Sequence, residues 1–284
     1  MRYQKKIEMK KDSLIIVVVI LVVLIYIVSS CEPKPPKPEP PELKPVPTSV
    51  TDIDNNKYQI KRFGNTLWMT ENLRVTRYDT ASSRKGIILS EPVNNDPSIL
   101  NLPYFTDVRN YKESPYYEES PYTDNLTDEI INSLGLLYNW CAATGFEDNS
   151  ASVGDKTKVQ GICPNGWRLP RTEDWESLFN YLGGKEIAGE KLKSMYGWYT
   201  LSGSGTNESG MNCYPAGNAA GSIITSVGTQ TWFWNSKSQT VTITKAETLE
   251  LFYDNKSAEL KNIYKFNANS VRCILDLDST YAIQ

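Results

Sequence analysis

The feature that most constrains this chain is a run of prolines close to its N-terminus. Residues 32–47 read EPKPPKPEPPELKPVP, and eight of these sixteen residues are proline. Proline fixes φ and lacks a backbone N–H, so the run cannot form a helix or enter the interior of a sheet. We expect an extended polyproline II spacer of about 50 Å, at ~3.1 Å per residue. The prolines therefore predict three parts: an N-terminal segment (1–30), a linker (31–47) and a folded domain (48–284).

The segment before the prolines resembles a bacterial lipoprotein signal peptide. Its first twelve residues include five basic and two acidic residues, and residues 14–28 are apolar apart from Tyr26. Fifteen such residues suit the core of a signal peptide better than a membrane span of about 20 residues. Val28-Ser29-Ser30-Cys31 follows and resembles a lipobox, which predicts Cys31 as the lipidated residue. The alternative is an uncleaved anchor helix with an incidental cysteine. Both interpretations place the following residues outside the cytoplasm.

Composition narrows the function of the folded domain. After residue 30 the chain has 25 basic and 31 acidic residues, a net charge of −6. This mild acidity gives no basic surface for nucleic acid, so we expect no nucleic-acid partner. The chain has no histidine, which excludes Ser-His-Asp and Cys-His nucleophile systems and His-ligated zinc. We expect no enzymatic activity, although catalysis by carboxylates, Tyr, Lys or Cys stays open.

The cysteines indicate a disulfide framework. Apart from Cys31 there are four, namely Cys141, Cys163, Cys213 and Cys273. An even number in an oxidising compartment predicts two disulfides, and the residues themselves leave three pairings open. The alternative is a set of free, buried thiols.

Strand patterns at both ends of the domain surround a helical centre. This order predicts an α+β fold with mainly antiparallel strands and two to three helices. We expect the helix after Pro170 to be capped by Thr172, with Trp175, Leu178 and Phe179 facing the core. The predicted elements are a hairpin at 50–63 continuing to 67–69, a long loop at 79–128, helices at 135–144, 172–182 and 186–195, and strands at 231–234, 241–244, 248–253 and 270–275.

Four motifs recur in order along the folded domain, and they are Trp68-Met69-Thr70-Glu71-Asn72-Leu73, Gly135-Leu136-Leu137-Tyr138-Asn139-Trp140, Cys163-Pro164-Asn165-Gly166-Trp167-Arg168-Leu169-Pro170 and Ser270-Val271-Arg272-Cys273. Together they resemble the Fibrobacter succinogenes major paralogous domain, in family order and across nearly all of residues 50–276. The resemblance implies a C-type lectin-like fold, related also to formylglycine-generating sulfatase-modifying enzymes. It further implies a Cys163–Cys273 disulfide, which leaves Cys141–Cys213 as a second bridge.

A lectin-like fold would place the ligand at the loop after the helices, residues 199–230. Aromatic faces there could stack on sugar rings, and Asn or Glu side chains could bind hydroxyl groups or a Ca²⁺ ion. The calcium-dependent sugar motifs are absent from the sequence, so no cofactor is predicted, and a structural Ca²⁺ stays open. The candidate ligand-binding residues are Trp198, Asn207, Glu208, Asn212 and Trp232.

Together these features predict a lipid-anchored protein of the outer membrane and cell surface. Glu32 and Glu39 follow Cys31 closely and resemble the surface-export signal of Bacteroidetes lipoproteins. The expected partners are the membrane, through the N-terminal lipid, and a glycan or another surface protein bound without catalysis. The alternatives are a structural or assembly subunit of the envelope and an enzyme related to the formylglycine-generating group.

Overall fold

The computed structural model describes residues 16–23, 43–92, 100–113, 127–151, 153–154, 157–199, 205–238, 244–278 and 280–281. The chain divides into two compact units, Met1–Glu42 and Leu43–Gln284. In the first unit, residues 16–23 form a helix with exposed side chains. Within the described ranges, no helix is both long and apolar enough to cross a membrane. Cys31 and the proline run as far as residue 42 lie outside the described residues.

The second unit consists mainly of short antiparallel strands in three sheets. The first sheet has the strand order β1-β2-β3-β12, the second β10-β9-β8 and the third β4-β5-β11-β6-β7. The described strands are β1 (Ser49–Thr51), β2 (Lys57–Phe63), β3 (Thr66–Met69), β4 (Phe105–Asp107), β5 (Leu136–Asn139), β6 (Asn218–Ala220), β7 (Ile223–Thr225), β8 (Gln230–Ser238), β9 (Lys245–Phe252), β10 (Glu259–Tyr264), β11 (Asn267–Asn269) and β12 (Ile274–Asp276).

The helices are few and short, so the predicted α+β fold of the C-type lectin type is wrong. Twelve strands in three sheets dominate the described part of the second unit. Part of the error lies at residues 135–144, where a helix was expected and Leu136–Asn139 form a strand. The described helices are α1 (Asp128–Ser133), α2 (Trp140–Thr144), α3 (Thr172–Tyr181), α4 (Lys185–Leu192) and a 3₁₀ helix at Val108–Glu113.

The first hairpin and the helix after Pro170 are confirmed. Val50 on β1 lies opposite Tyr58 on β2, as the alternating pattern predicted. The cap of α3 differs from the prediction, because Arg171 is the N-cap and Thr172 is the first helical residue. The carboxylate of Asp174 accepts a hydrogen bond from the backbone N–H of Arg171 at 2.7 Å, so this N–H at the start of α3 has a partner.

The segment 135–144 combines a strand with a helix. Leu136–Asn139 pairs with β4 and β11, and the chain then turns into α2. All four residues of β5 and all five residues of α2 are buried. A segment with so few polar residues has no hydrophobic period that separates a buried strand from a buried helix, which explains the error.

The cysteines confirm one predicted disulfide and refute the other. Cys163 and Cys273 are bonded and join residues 110 positions apart. Cys141 and Cys213 are free, buried thiols, so the expected second bridge is wrong. The two thiols have separate surroundings: the Cys141 sulfur lies 3.6 Å from the Asn101 carbonyl oxygen, whereas Cys213 packs in the apolar cluster that contains Trp68 and Trp175.

Candidate functional site

The two tryptophans expected at the ligand surface are buried. Trp198 is 1% exposed and Trp232 is 8% exposed. The indole N–H of Trp198 donates to the Ser194 hydroxyl at 3.1 Å, so its polar atom is also used internally. Neither ring offers a face for stacking, and the prediction of an aromatic platform at these positions is wrong.

The three polar candidates lie on one tight turn. Asn207 and Asn212 have φ values of 49° and 50°, a left-handed conformation that Asn tolerates well. The Asn207 side-chain oxygen accepts the Asn212 N–H at 2.8 Å, and exposed Glu208 pairs with Lys191 at 3.0 Å. The Asn207 side chain therefore stabilises the turn. Among the residues that the structure describes, no group of three or more His, Cys, Asp or Glu side chains could hold a metal ion.

A cleft with exposed aromatic rings lies elsewhere in the unit, and we call it the aromatic cleft. It has a volume of about 370 Å³ and brings together residues from the segments near 101, 149 and 265. None of these residues was predicted as a site. The cleft is lined by Asn101, Asp148, Asn149, Ser150, Thr244, Tyr264, Lys265 and Phe266.

The aromatic side of the cleft is a stacked pair of rings. The Tyr264 and Phe266 ring centroids are 5.2 Å apart and the planes differ by 16°. Tyr264 is 47% exposed although it is the last residue of β10. The Tyr104 hydroxyl donates a hydrogen bond to the Phe266 carbonyl and so fixes the Phe266 backbone. The pair is a preformed apolar surface of the kind that packs against the flat face of another ring.

Two buried asparagines fix the polar side of the cleft. Asn139 caps α2 by accepting the Ala142 N–H at 3.1 Å, and Asn149 accepts the Cys141 N–H at 3.1 Å. Both amides also donate to the Leu100 carbonyl, at 3.2 and 3.1 Å respectively. These bonds hold the segment that carries Asn101 against the helix that supports Asn149.

Lys265 lies beneath the two sides and connects them. Its Nζ lies 4.1 Å from the centroid of the Trp140 ring and donates to the carbonyls of Asn149, at 3.2 Å, and Ala151. Burial lowers the pKa of Lys265 to about 8, and the nearby Cys141 and Asp148 side chains oppose this shift. The side chain remains mainly an ammonium at neutral pH and clamps the 149–151 segment.

Asp148 is an acidic group at the cleft. Its Oδ1 accepts the Ser150 N–H at 2.7 Å. Hydrogen bonds from the Ser150 side chain and backbone lower the pKa of Asp148 below its ordinary value. A carboxylate beside stacked rings can accept hydrogen bonds from hydroxyl groups while the rings contact the apolar side of the same molecule.

The sequence carried one signal for this cleft. Tyr264-Lys265-Phe266 places two aromatic residues around a lysine at the end of a strand pattern. Strand alternation explains the same triplet equally well, and the lysine points to no particular ligand. Asn101 and Asp148 lie in segments without periodicity, so nothing local connected them to the triplet.

Comparison with known proteins gives a family but no function. The chain matches the family model described as the Fibrobacter succinogenes major domain over residues 62–275, a span that includes the whole lining of the aromatic cleft. No curated protein and no solved structure matches the chain. The matched span is well over half of the chain, and the protein therefore belongs to the Fibrobacter succinogenes major domain family.

Proposed function

We propose that this protein is a lipid-anchored surface protein whose second unit binds a glycan in the aromatic cleft without catalysis. The observation that carries the proposal is the stacked Tyr264–Phe266 pair facing a cleft that Asp148 and Asn101 also line. A sugar ring has an apolar face and a rim of hydroxyl groups. Stacked aromatic rings next to carboxylate and amide groups match both properties at once.

The proposed display on the cell surface depends on Cys31 and the proline spacer. The lipobox-like sequence would supply the lipid, and the spacer would hold the folded unit away from the membrane. The Cys163–Cys273 disulfide supports this location, because such bonds persist in oxidising compartments.

Replacing Cys31→Ser should release the protein from the membrane fraction or leave the signal peptide uncleaved. Unchanged fractionation and processing would refute lipidation at Cys31.

A binding role rather than a catalytic one is favoured by the chemistry of the lining. The Lys265 amine is committed to two carbonyls and to the Trp140 ring. Asp148 is the one carboxylate among the described lining residues, whereas most glycosidases use two. The cleft is therefore better suited to holding a sugar than to cleaving it.

A glycan array with full-length protein in detergent, followed by titration of the best hit, tests the binding proposal. Removing one ring, by Phe266→Ala or Tyr264→Ala, should weaken binding about tenfold through the lost stacking contact. Tyr181→Ala is the matched control, because this tyrosine is 65% exposed on α3 and lies outside the cleft.

Two results would count against glycan binding. The first is an array without any hit for a protein that melts cooperatively. The second is equal affinity of the Phe266→Ala, Tyr264→Ala and Tyr181→Ala variants for the bound glycan. Capture of one envelope protein by a chain that binds no glycan would instead support an assembly role.

A further inference from the structure

We propose that a second site in this unit binds a small zwitterion, of the kind that a free amino acid or a dipeptide provides. The site is a cavity of about 420 Å³ that shares no lining residue with the aromatic cleft. The inference is therefore independent of glycan binding. We call this cavity the polar groove, and it is lined by Thr70, Glu71, Arg74, Glu129, Asn132, Ser133, Asn212, Tyr214 and Arg272.

Arg272 gives the groove a buried positive charge. The residue is 1% exposed, yet it lines the cavity. Its guanidinium donates to the Asn72 side-chain oxygen at 2.8 Å and to the carbonyls of Met69, Met211 and Asn212. All four acceptors are neutral. A buried cation is costly unless an opposite charge accompanies it, so the site favours an anionic group close by.

The hydrogen bonds of Arg272 leave room for such a group. A guanidinium has five N–H donors, and four of them have acceptors among the described residues. Burial lowers the pKa of Arg272, and the carboxylate of Glu71 opposes that shift only in part. A ligand carboxylate on the remaining donor would complete the hydrogen bonding and compensate the charge.

The other charges of the groove indicate a ligand with both signs. Arg74 supplies a second guanidinium, which donates to the Lys57 carbonyl at 2.9 Å and lies 4.6 Å from the centroid of the Tyr58 ring. Glu71 and Glu129 supply two carboxylates, and Glu129 is exposed. The charges of these two positive and two negative groups cancel, so the groove has no net positive charge to attract a multiply charged anion. They suit a ligand whose carboxylate lies near Arg272 and whose ammonium group lies near Glu129.

Titration calorimetry with full-length protein in detergent tests this site. The probe is L-alanyl-L-alanine, compared with its C-terminal amide and its N-acetyl form. Amidation removes the negative charge and acetylation removes the positive charge, while the protein stays unchanged. We expect the dipeptide to bind and each capped form to bind at least about tenfold more weakly. No binding at millimolar concentration, or equal affinity for dipeptide and amide, would overturn the proposal.

A pair of variants locates the binding in the groove. Arg74→Gln should weaken dipeptide binding at least about fivefold, because it removes one of the two guanidinium groups. Arg62→Gln is the control, because Arg62 also donates to a backbone carbonyl, that of Gly64 at 2.7 Å, but does not line the groove. Equal affinities of these two variants would place the binding elsewhere and refute the assignment.

Discussion

One guanidinium holds the start of α3 to the last strand of the first sheet. Arg168 is almost fully buried and donates to both oxygens of Asp174, at 2.7 and 2.9 Å. It also donates to Asp276 on β12, at 2.8 and 2.6 Å. Burial disfavours the ionised form of Asp174, but the hydrogen bonds from Arg168 outweigh it and keep the Asp174 pKa below 3.8.

The ion pair between Arg168 and Asp174 predicts that the protein loses stability in acid. A carboxyl whose folded pKa is depressed stabilises the fold fully above its unfolded pKa, here near 3.8, and loses that contribution as the pH falls towards the folded pKa. Asp174→Asn should lower the free energy of unfolding by about 3 kcal/mol at pH 7, because it leaves a buried guanidinium partly unpaired. The deficit should shrink below pH 3.8.

Denaturant unfolding over a pH series measures the effect. Glu173→Gln is the control, because Glu173 is exposed in the same helical turn and its Oε2 lies 3.8 Å from the Nε of Arg171. This variant should unfold like wild type at every pH. A deficit for Asp174→Asn that stays constant through the acid range would show that the carboxylate charge is not the source.

At the scale of elements, α4 packs against the 256–258 segment through a glycine. A Cβ placed on Gly189 would lie 2.1 Å from the Ser257 carbonyl oxygen. The neighbouring Glu190 N–H donates to the Lys256 carbonyl at 2.9 Å, which fixes the two backbones together. The helix therefore needs a residue without a side chain at this position.

This contact predicts a reversal of the usual helix preference. Gly→Ala inside a helix ordinarily stabilises by about 1 kcal/mol. Gly189→Ala should instead destabilise by at least ~2 kcal/mol, because the helix or the segment must move apart. Gly154→Ala is the control, since a Cβ there meets nothing within 4 Å, and it should change stability by less than ~1 kcal/mol. Thermal melting of both variants tests this prediction. A higher melting temperature for Gly189→Ala than for wild type would contradict the close contact between α4 and the 256–258 segment.

Elements with a local pattern could be predicted from the sequence, and the others could not. The hairpin of β1 and β2 has alternation and a turn, and α3 has a stripe formed by Trp175, Leu178 and Phe179. The β5–α2 segment is buried on every side, so the spacing of its apolar residues does not distinguish a strand from a helix. The expected lectin-like fold rested on resemblance in motifs, and those motifs do not specify how many short strands the intervening segments contribute.

The aromatic cleft could not be predicted for a different reason. Whether a Trp or Tyr is exposed depends on what other segments cover it, and Trp198 and Tyr264 look alike in the sequence although one is buried and the other exposed. Asn101 and Phe266 lie far apart in the sequence and meet at the cleft only in the folded protein, where the Tyr104 hydroxyl donates to the Phe266 carbonyl. Asn207 and Asn212 were predicted as ligand-binding residues because Asn side chains bind hydroxyl groups. Asn is also a residue type that turns favour, and both residues adopt the left-handed conformation of a turn.

For the molecule as a whole, the Cys163–Cys273 disulfide should contribute a large share of the stability. A bridge that closes a loop of 110 residues contributes about 4–5 kcal/mol in the chain-entropy model. The Cys163→Ser/Cys273→Ser variant should therefore melt far below wild type and be secreted poorly. Cys141→Ala is the control, because Cys141 is a buried free thiol and its replacement breaks no covalent crosslink. An unchanged melting temperature for the double variant would refute the contribution.

The position of residues 267–276 in the fold has a consequence for biogenesis. β11 inserts between β5 and β6, and β12 pairs with β3, so these late residues complete two of the three sheets. During export as we propose it, the early strands would lack these neighbours until the late segment had also emerged. In such an export, the fold would close only after the late segment had emerged into the compartment where Cys163 and Cys273 can be oxidised.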